Sequence, residues 1–488
     1  MLKVAMCSTE AVPFAKTGGL ADVVGALPHY YKSVGMDTIV IMPGYNFIFS
    51  KYQNVEKISE NVSININKDY KESFDIYRCR YNNVDFYFIK NDKFFNRENL
   101  YGTSSGDYED NNLRFGFLSK AILELLKKLD IKVDIIHLHD YHVALTSLLI
   151  YDLQKKQVDD FFKNTKTVFT IHNLAYQGIY DKSTLDLLGI SKEYFNINGL
   201  EFYGKVNFMK GGIIYSKKIT TVSPTYSKEI LTQEFGYGLE DVLKSRENDL
   251  LGIINGIDYN IWDPGKDKVI KQNYNIDDYS GKKVCKKYLL NCLFENSDFT
   301  KPVLGMVSRL SEQKGIDLIV EAFDFLMNED LYLVILGTGD ERYIKILENL
   351  KKKYKEKFSI NITFSDKLAR DIYSGSDIFL MPSKYEPCGL GQLISLKYGT
   401  IPVVRNTGGL ADTVVDINSP DDIRNGGQGF KFLNYKYEEL FETIKRAIYY
   451  FNQKDLWDMI IKNAMSCDFS WDYSARKYKE LFTSLFSN

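Results

Sequence analysis

Short, continuous apolar runs recur through the chain, each closed by glycine, proline or a polar cluster, and most lead into a helical pattern. In the first half they fall at residues 4–7, 37–42, 133–139, 167–171 and 220–222; in the second they fall at 303–307, 331–336, 360–364, 378–381 and 402–404. Runs that are apolar at successive positions, rather than at every second one, predict strands buried on both faces, the habit of parallel sheets. Residues 52–98 differ, because polar and apolar positions alternate there, with Tyr87, Phe88 and Ile89 expected to turn inward. A loop rich in Gly, Ser and Asp over 101–112 is followed by an expected helix over 113–129. This alternation of strand and helix predicts an α/β chain whose parallel sheets are covered on both faces.

A chain of 488 residues is too long for one ordinary core. The turn-rich passage Asn255-Gly256-Ile257-Asp258, with Asp263-Pro264-Gly265 close behind, reads as the joint. The expected organisation is one domain over 1–258, a second over 259–465, and a segment 466–488 whose helix crosses back to the first domain. The hexapeptide Thr17-Gly18-Gly19-Leu20-Ala21-Asp22 recurs unchanged as Thr407-Gly408-Gly409-Leu410-Ala411-Asp412. That repeat predicts two domains of one architecture, each presenting a similar glycine turn to a shared cleft.

Composition narrows the class. Hydrophobic residues at 44% and charged residues at 26% are those of a soluble globular protein. A net charge of −2 with a pI near 6.3 carries no nucleic-acid footprint, and no window reaches the ~18 apolar residues of a membrane span. Six cysteines lie scattered without CxxC spacing, which fits reduced thiols and no structural zinc. The opening MLKVAMCSTE enters a strand with no apolar leader. A cytoplasmic protein binding neither nucleic acid nor membrane is expected.

The chemistry-bearing residues cluster at strand ends. His137, His139, His142 and His172 do so, but no carboxylate-rich partner completes a metal set, so no metal is expected. Asp140 and Asn173 suit a hydroxylated ligand, and His137 reads equally well as a satisfied core histidine. Lys16 beside Gly18 and Gly19 suits a phosphate or a sugar oxygen, although the GxxxxGK[ST] spacing is absent. Arg309 and Lys314 follow a strand and together could neutralise a diphosphate. Gly337 signals close backbone approach. Glu386 sits on a turn after the run 378–381, and Cys388-Gly389-Leu390-Gly391 is expected to open a helix whose N-terminus faces the strand end, where α/β sheets bind ligands. A carboxylate beside an anion site suits a group with developing positive charge, such as a sugar C1. A helix N-terminus at Cys388 would also make its thiol reactive toward alkylation.

Taken together, KTGGLADVVGALP, His139-Asp140-x-His142, His172-Asn173-Leu174-Ala175-Tyr176-Gln177-Gly178, Val307-Ser308-Arg309-Leu310 with Gln313-Lys314-Gly315, and Glu386-Pro387-Cys388-Gly389-Leu390-Gly391-Gln392 resemble bacterial glycogen synthase and plant starch synthase. The likeness runs from residue 3 to about 471. It implies the GT-B architecture, two Rossmann-like domains facing across a deep cleft. It also implies a hexosyltransferase that moves glucose with retention from ADP-glucose to the 4-hydroxyl at the non-reducing end of an α-1,4-glucan, without cofactor or metal. By the same likeness Glu386, Arg309, Lys314 and His172 (through its backbone carbonyl) form the catalytic set. Lys16, Gly18, Gly19, Gly337, Phe364 (stacked on adenine), Cys388, Gly389, Leu390 and Gly391 bind the donor, and Glu10, Asp22, Tyr101, Asp140 and Asn173 line the acceptor side. One departure from the wider clan is Ile394 in place of the second carboxylate of Glu-x7-Glu, which leaves the ribose contact unassigned. Two alternatives stay open: a retaining GT-B glucosyltransferase with a small acceptor, and a non-catalytic glucan-binding protein. Whether the chain forms a homo-oligomer is also open.

Overall fold

In the computed structural model, which describes residues 1–103 and 106–487, the chain divides into two units. One is Met1–Asn255 together with the segment from Trp471 onward; the other is Gly256–Ser470. The first unit is built on nine strands: β1 (Lys3–Cys7), β2 (Asp37–Pro43), β3 (Glu56–Asn65), β4 (Lys71–Tyr81), β5 (Val84–Lys90), β6 (Ile135–His139), β7 (Lys166–Ile171), β8 (Lys218–Thr221) and β9 (Leu250–Gly252). They lie in the order β9-β8-β7-β6-β1-β2-β5-β4-β3. The continuous apolar runs pair in parallel, and the alternating stretch forms the antiparallel β3-β4-β5 edge. The β4–β5 turn is Asn82-Asn83 at φ 46° and 63°, the left-handed pair of a two-residue hairpin filled by a residue type that suits it.

The second unit holds β10 (Val303–Val307), β11 (Tyr332–Leu336), β12 (Phe358–Asn361), β13 (Ile378–Met381), β14 (Ile401–Arg405) and β15 (Phe430–Phe432), all parallel, in the order β12-β11-β10-β13-β14-β15. Counted within the unit this is 3-2-1-4-5-6, the doubly wound order. Among the parallel strands of each sheet the order reverses at one place, between β1 and β6 and between β10 and β13. Ligands of open α/β sheets bind beyond the carboxyl ends of the strands at such a reversal.

The final helix, Trp471–Ser484, packs in the first unit against the helix Gly19–Ser33. Tyr31 meets Tyr478 and Phe482 with ring centroids 5.7 Å apart in both cases. Trp471, Tyr478 and Phe482 are buried, each contributing roughly 1.5–3 kcal/mol. Two expectations shift. The third strand of the second unit lies at Phe358–Asn361 rather than 360–364, because Phe358 and Ile360 face the core whereas Phe364 is 86% exposed. The helix expected at Cys388 begins at Gly391 and ends at Lys397.

Candidate active site

At the reversal of the second sheet, β10 gives way to Ser308 and Arg309, and β13 to the loop that carries Glu386. Glu386 is buried, and its Oε2 accepts hydrogen bonds from Lys314 Nζ at 2.6 Å and Ser383 Oγ at 3.0 Å. A carboxylate in such surroundings needs a cation, and Lys314, itself only partly buried, supplies it. The backbone fixes the pairing, because Lys384 N–H donates to the Gln313 carbonyl at 2.9 Å and ties one loop to the other. Arg309 is exposed beside them, its Nη2 donating to Gln313 Oε1 at 3.3 Å. A cavity of about 120 Å³ opens here, lined among others by Ser308, Lys314, Ser383, Glu386, Gly389 and Gly391. Glu386 is the only carboxylate among its lining residues. Gly337, at the end of β11, abuts the Ser308 carbonyl, where a Cβ would come to 1.8 Å.

The loop is held from behind by residues that sequence reasoning did not single out. Gln392 Nε2 donates to the carbonyls of Cys388 at 2.9 Å and Gly389 at 3.0 Å, and to Thr413 Oγ1 at 3.2 Å. The second copy of the repeated hexapeptide supports Glu386 directly. Gly409 N–H donates to the carbonyls of Glu386 at 3.1 Å and Pro387 at 3.2 Å. Gly408, at φ 44°, leaves no room for a Cβ, which would fall 2.0 Å from the Glu386 oxygen. Both glycines are buried, so this copy builds the Glu386 loop and does not offer a glycine turn to a ligand, contrary to the reading from the repeat. Cys388 is also corrected, being 5% exposed and ahead of the helix, whereas Cys292 is the exposed cysteine. Ile394 is buried in the core, which takes that position away from any ligand. Leu390 caps the helix, and Phe364 projects beyond β12.

At the reversal of the first sheet the groups divide into two sets. Glu10, at the end of β1, is buried and fully engaged. Its Oε1 accepts from Thr17 Oγ1 at 2.6 Å and from the Tyr101 hydroxyl at 2.5 Å, and its Oε2 accepts the amides of Thr17 at 2.5 Å and Gly18 at 3.3 Å. Glu10 thus shapes the glycine turn, and Asp22 holds Lys16 through a 2.7 Å ion pair. Both carboxylates are occupied by the turn itself. Lys16, Thr17, Gly18 and Gly19 are exposed, and a Cβ on Gly18 would meet nothing within 4 Å.

The second set lies beyond β6 and β7. Asp140 sits at φ 59° and ψ 176°, a strained backbone for a residue with a side chain, and its Oδ1 accepts the His172 amide at 2.8 Å. Desolvation pushes its carboxyl up to about 7, against the pull of the His172 and Asn173 amides. His172 Nε2 shares a 2.8 Å hydrogen bond with His139 Nδ1. Burial pushes His172 down to about 3 and His139 well below its ordinary value, so both imidazoles are neutral near pH 7. His172 is therefore pinned twice, by its backbone and by its ring. His137 bonds Thr170 Oγ1 at 2.6 Å and the Tyr31 hydroxyl at 3.2 Å, a satisfied core histidine. His142 stacks between Tyr101 and Tyr141. Asn173 Oδ1 accepts the Ala175 amide at 3.1 Å. Among the described residues no group of three or more His, Cys, Asp or Glu is placed to hold a metal ion.

Two doubly wound units, the second with a Lys–Glu pair at its sheet reversal, define a glycosyltransferase of GT-B type, and residues 294–464 match the family described as glycosyl transferases group 1. Residues 3–245 match the starch synthase catalytic domain. The glycogen synthase of Geotalea uraniireducens (strain Rf4) is 46% identical over 481 residues, covering 99% of this chain and 98% of its own length. That of Thermosipho melanesiensis is 44% identical over 489 residues, covering 100% and 99%. The catalytic domain of starch synthase IV from Arabidopsis thaliana, solved with ADP and acarbose, is 32% identical with a TM-score of 0.91, covering 100% and 99%. The chain belongs to the glycogen and starch synthase family, and is a hexosyltransferase of glucan synthesis.

Proposed function

We propose that the chain transfers glucose with retention from ADP-glucose to the 4-hydroxyl at the non-reducing end of an α-1,4-glucan. The observation that carries this reading is the Glu386–Lys314 pair at 2.6 Å beside the cavity at the sheet reversal. It sets a negative and a positive group side by side, as a sugar C1 and its departing diphosphate require. Arg309 and Lys314 take up the charge of the leaving diphosphate, with Gly389, Leu390 and Gly391 meeting its oxygens and Gly337 allowing close approach. Phe364 stacks on the adenine, and Lys16 with the Gly18-Gly19 turn serves the donor as well. Asp140 holds the His172 backbone toward the sugar, and Asp140, Asn173 and Tyr101 belong to the acceptor side. The support for the donor and acceptor is the relatives' names and the starch synthase bound to ADP and acarbose.

Retention by double displacement would need a nucleophile and a second carboxylate as acid and base. The cavity offers Glu386 alone, and Lys314 and Ser383 already engage it. Attack on the face the phosphate leaves fits better. The C1–O bond to phosphate breaks, the bond from the acceptor oxygen to C1 forms on the same side, and the leaving phosphate takes the acceptor proton. Glu386 stabilises the positive charge at C1. We place the protein in the cytoplasm, where its six cysteines, none of them in a disulfide, stay reduced; among the described residues no helix is long and apolar enough to cross a membrane.

The test is nucleotide release with glycogen as acceptor, comparing ADP-glucose with UDP-glucose. ADP release with extension of glycogen is expected, undiminished by a chelator because Arg309 and Lys314 supply the positive charge. Transfer to a small acceptor but not to glycogen, or glycogen binding without ADP release, would overturn the reading.

A further inference from the structure

Among the described residues nine that are not glycine take a positive φ: Asn61, Asn82, Asn83, Asp130, Asp140, Gln157, Tyr203, Tyr237 and Asn296. Asn and Asp, which tolerate that backbone best, fill six of those places. The two tyrosines do not fit the pattern, and they share a local design. Tyr203-Gly204 has φ 49° and 79°, and Tyr237-Gly238 has φ 49° and 81°. The first pair is the whole turn of a hairpin between Glu201–Phe202 and Lys205–Asn207. A turn of this type favours Asn at its first position, which the chain uses at Asn82. Tyr203 gains little inside the molecule in exchange for its strained backbone, since it is 83% exposed.

The two turns are neighbours. A Cβ on Gly238 would lie 3.5 Å from Tyr203 Cε2 and 3.0 Å from Phe202 Cζ. Both are anchored to the segment that starts at His172. Gln177 Nε2 donates to the Tyr237 carbonyl at 3.1 Å, and Asn207 Nδ2 donates to Gln177 Oε1 at 2.6 Å. Within this small substructure Tyr176, Ile179 and Ile197 are exposed as well. The result is an exposed aromatic surface, continuous in chain and hydrogen bonding with the His172 segment.

We propose that Tyr203 and Tyr237 form a binding surface for the glucan, holding glucose units other than the one being extended. The inference rests on the reading of the acceptor as an α-1,4-glucan. Tyrosine provides a flat apolar face with a polar edge at little cost in side-chain freedom. A pyranose presents the complementary surface, an apolar C–H face ringed by hydroxyls. A polymer running over two such faces is retained without passing through the reacting residues.

The experiment replaces Tyr203→Asn and Tyr237→Asn, singly and together, because Asn suits the left-handed turn and should keep or raise the melting temperature. Binding is read as retardation in native gels containing glycogen, and turnover is measured with glycogen and with maltotriose. The double variant should bind glycogen about five- to tenfold more weakly. Its KM for glycogen should rise in parallel, while kcat and KM with maltotriose stay as in the wild type. Unchanged retention in the double variant, or a fall in melting temperature that accounts for the loss, would overturn the proposal. Failure of the wild type itself to extend or bind glycogen would instead sink the reading of the acceptor.

Discussion

The same six residues, Thr-Gly-Gly-Leu-Ala-Asp, occur at 17–22 and at 407–412 and serve opposite ends. Both copies start a helix, Gly19–Ser33 in one unit and Gly408–Thr413 in the other. In the first copy Thr17, Gly18 and Gly19 are exposed, and the Glu10 carboxylate receives the Thr17 and Gly18 amides from behind. In the second the glycines are buried, and the Gly409 amide is spent on the backbone of the Glu386 loop. Local sequence sets the helix start in both. What faces that start, a carboxylate or a carbonyl, decides whether the turn is left open in front or closed over a neighbour.

The largest expected effect comes from exchanging the two carboxylates the copies are associated with. Glu386→Gln keeps shape and a partner for Lys314 but removes the charge beside C1, so turnover should fall by at least about 10²–10³ with the fold intact. Glu10→Gln should do the reverse, costing roughly 1–3 kcal/mol of stability through its weakened hydrogen bonds and affecting turnover less. Denaturant unfolding alongside ADP release reads both. A Glu386→Gln protein with normal turnover would remove Glu386 from the chemistry.

Next come the glycines. Gly408→Ala places a Cβ against the Glu386 carbonyl at a positive φ, so a stability loss of about 1–3 kcal/mol and a heavy loss of turnover are expected. Gly18→Ala has open space and an extended backbone at φ −156°, so stability should stay within about 0.5 kcal/mol. Equal destabilisation at both sites would erase the distinction between the copies.

Much of this was legible from sequence. The strand positions were, since a run such as 303–307 is apolar throughout and closed by polar Ser308 and Arg309. The reversal-point residues Glu386, Lys314 and Asp140 were legible too, because strand ends concentrate polar groups. Identity of sequence hid the difference between the hexapeptides, because their surroundings come from residues remote in the chain. Ser383 and Gln392 gave no signal of their own, since a loop serine and a helical glutamine acquire meaning only through the carboxylate and carbonyls they meet. The strand at Phe358–Asn361 slipped because apolar residues continue to Phe364, and nothing local says which of them face the core.

The two units also differ in acid response, since all five histidines, at 29, 137, 139, 142 and 172, lie in the first. Burial lowers His137, His142 and His172 to about 3, and His139 falls well below its ordinary value. A group whose folded pKa is depressed stabilises above the unfolded value, about 6.5, and that stabilisation is lost as pH falls toward the folded one. At pH 5 each of the three at about 3 should cost about 2 kcal/mol, and His139 shifts in the same sense. Asp140, raised to about 7, acts in the opposite sense, its stabilisation returning as pH falls below 7, and offsets only part of the loss. Calorimetry between pH 7 and pH 5 should show the transition of the first unit moving down more than that of the second. A larger fall in the second would contradict the assignment of neutral buried imidazoles.

The smallest effect on stability belongs to Lys16, and for that reason it isolates function best. Its ammonium lies 2.7 Å from Asp22, with the two side chains 39% and 32% exposed. A pair so open to solvent is worth under about 1 kcal/mol, so neither Lys16→Ala nor Asp22→Asn should move the unfolding midpoint appreciably. Turnover should separate them. If Lys16 leaves Asp22 to meet the donor, Lys16→Ala loses about tenfold, the effect of roughly one charge-assisted contact. Asp22→Asn merely releases the lysine from its resting partner, so it should lose less. Equal losses from the two substitutions would mean that Lys16 acts only by bracing the turn with Asp22, and no loss from either would return it to the solvated surface.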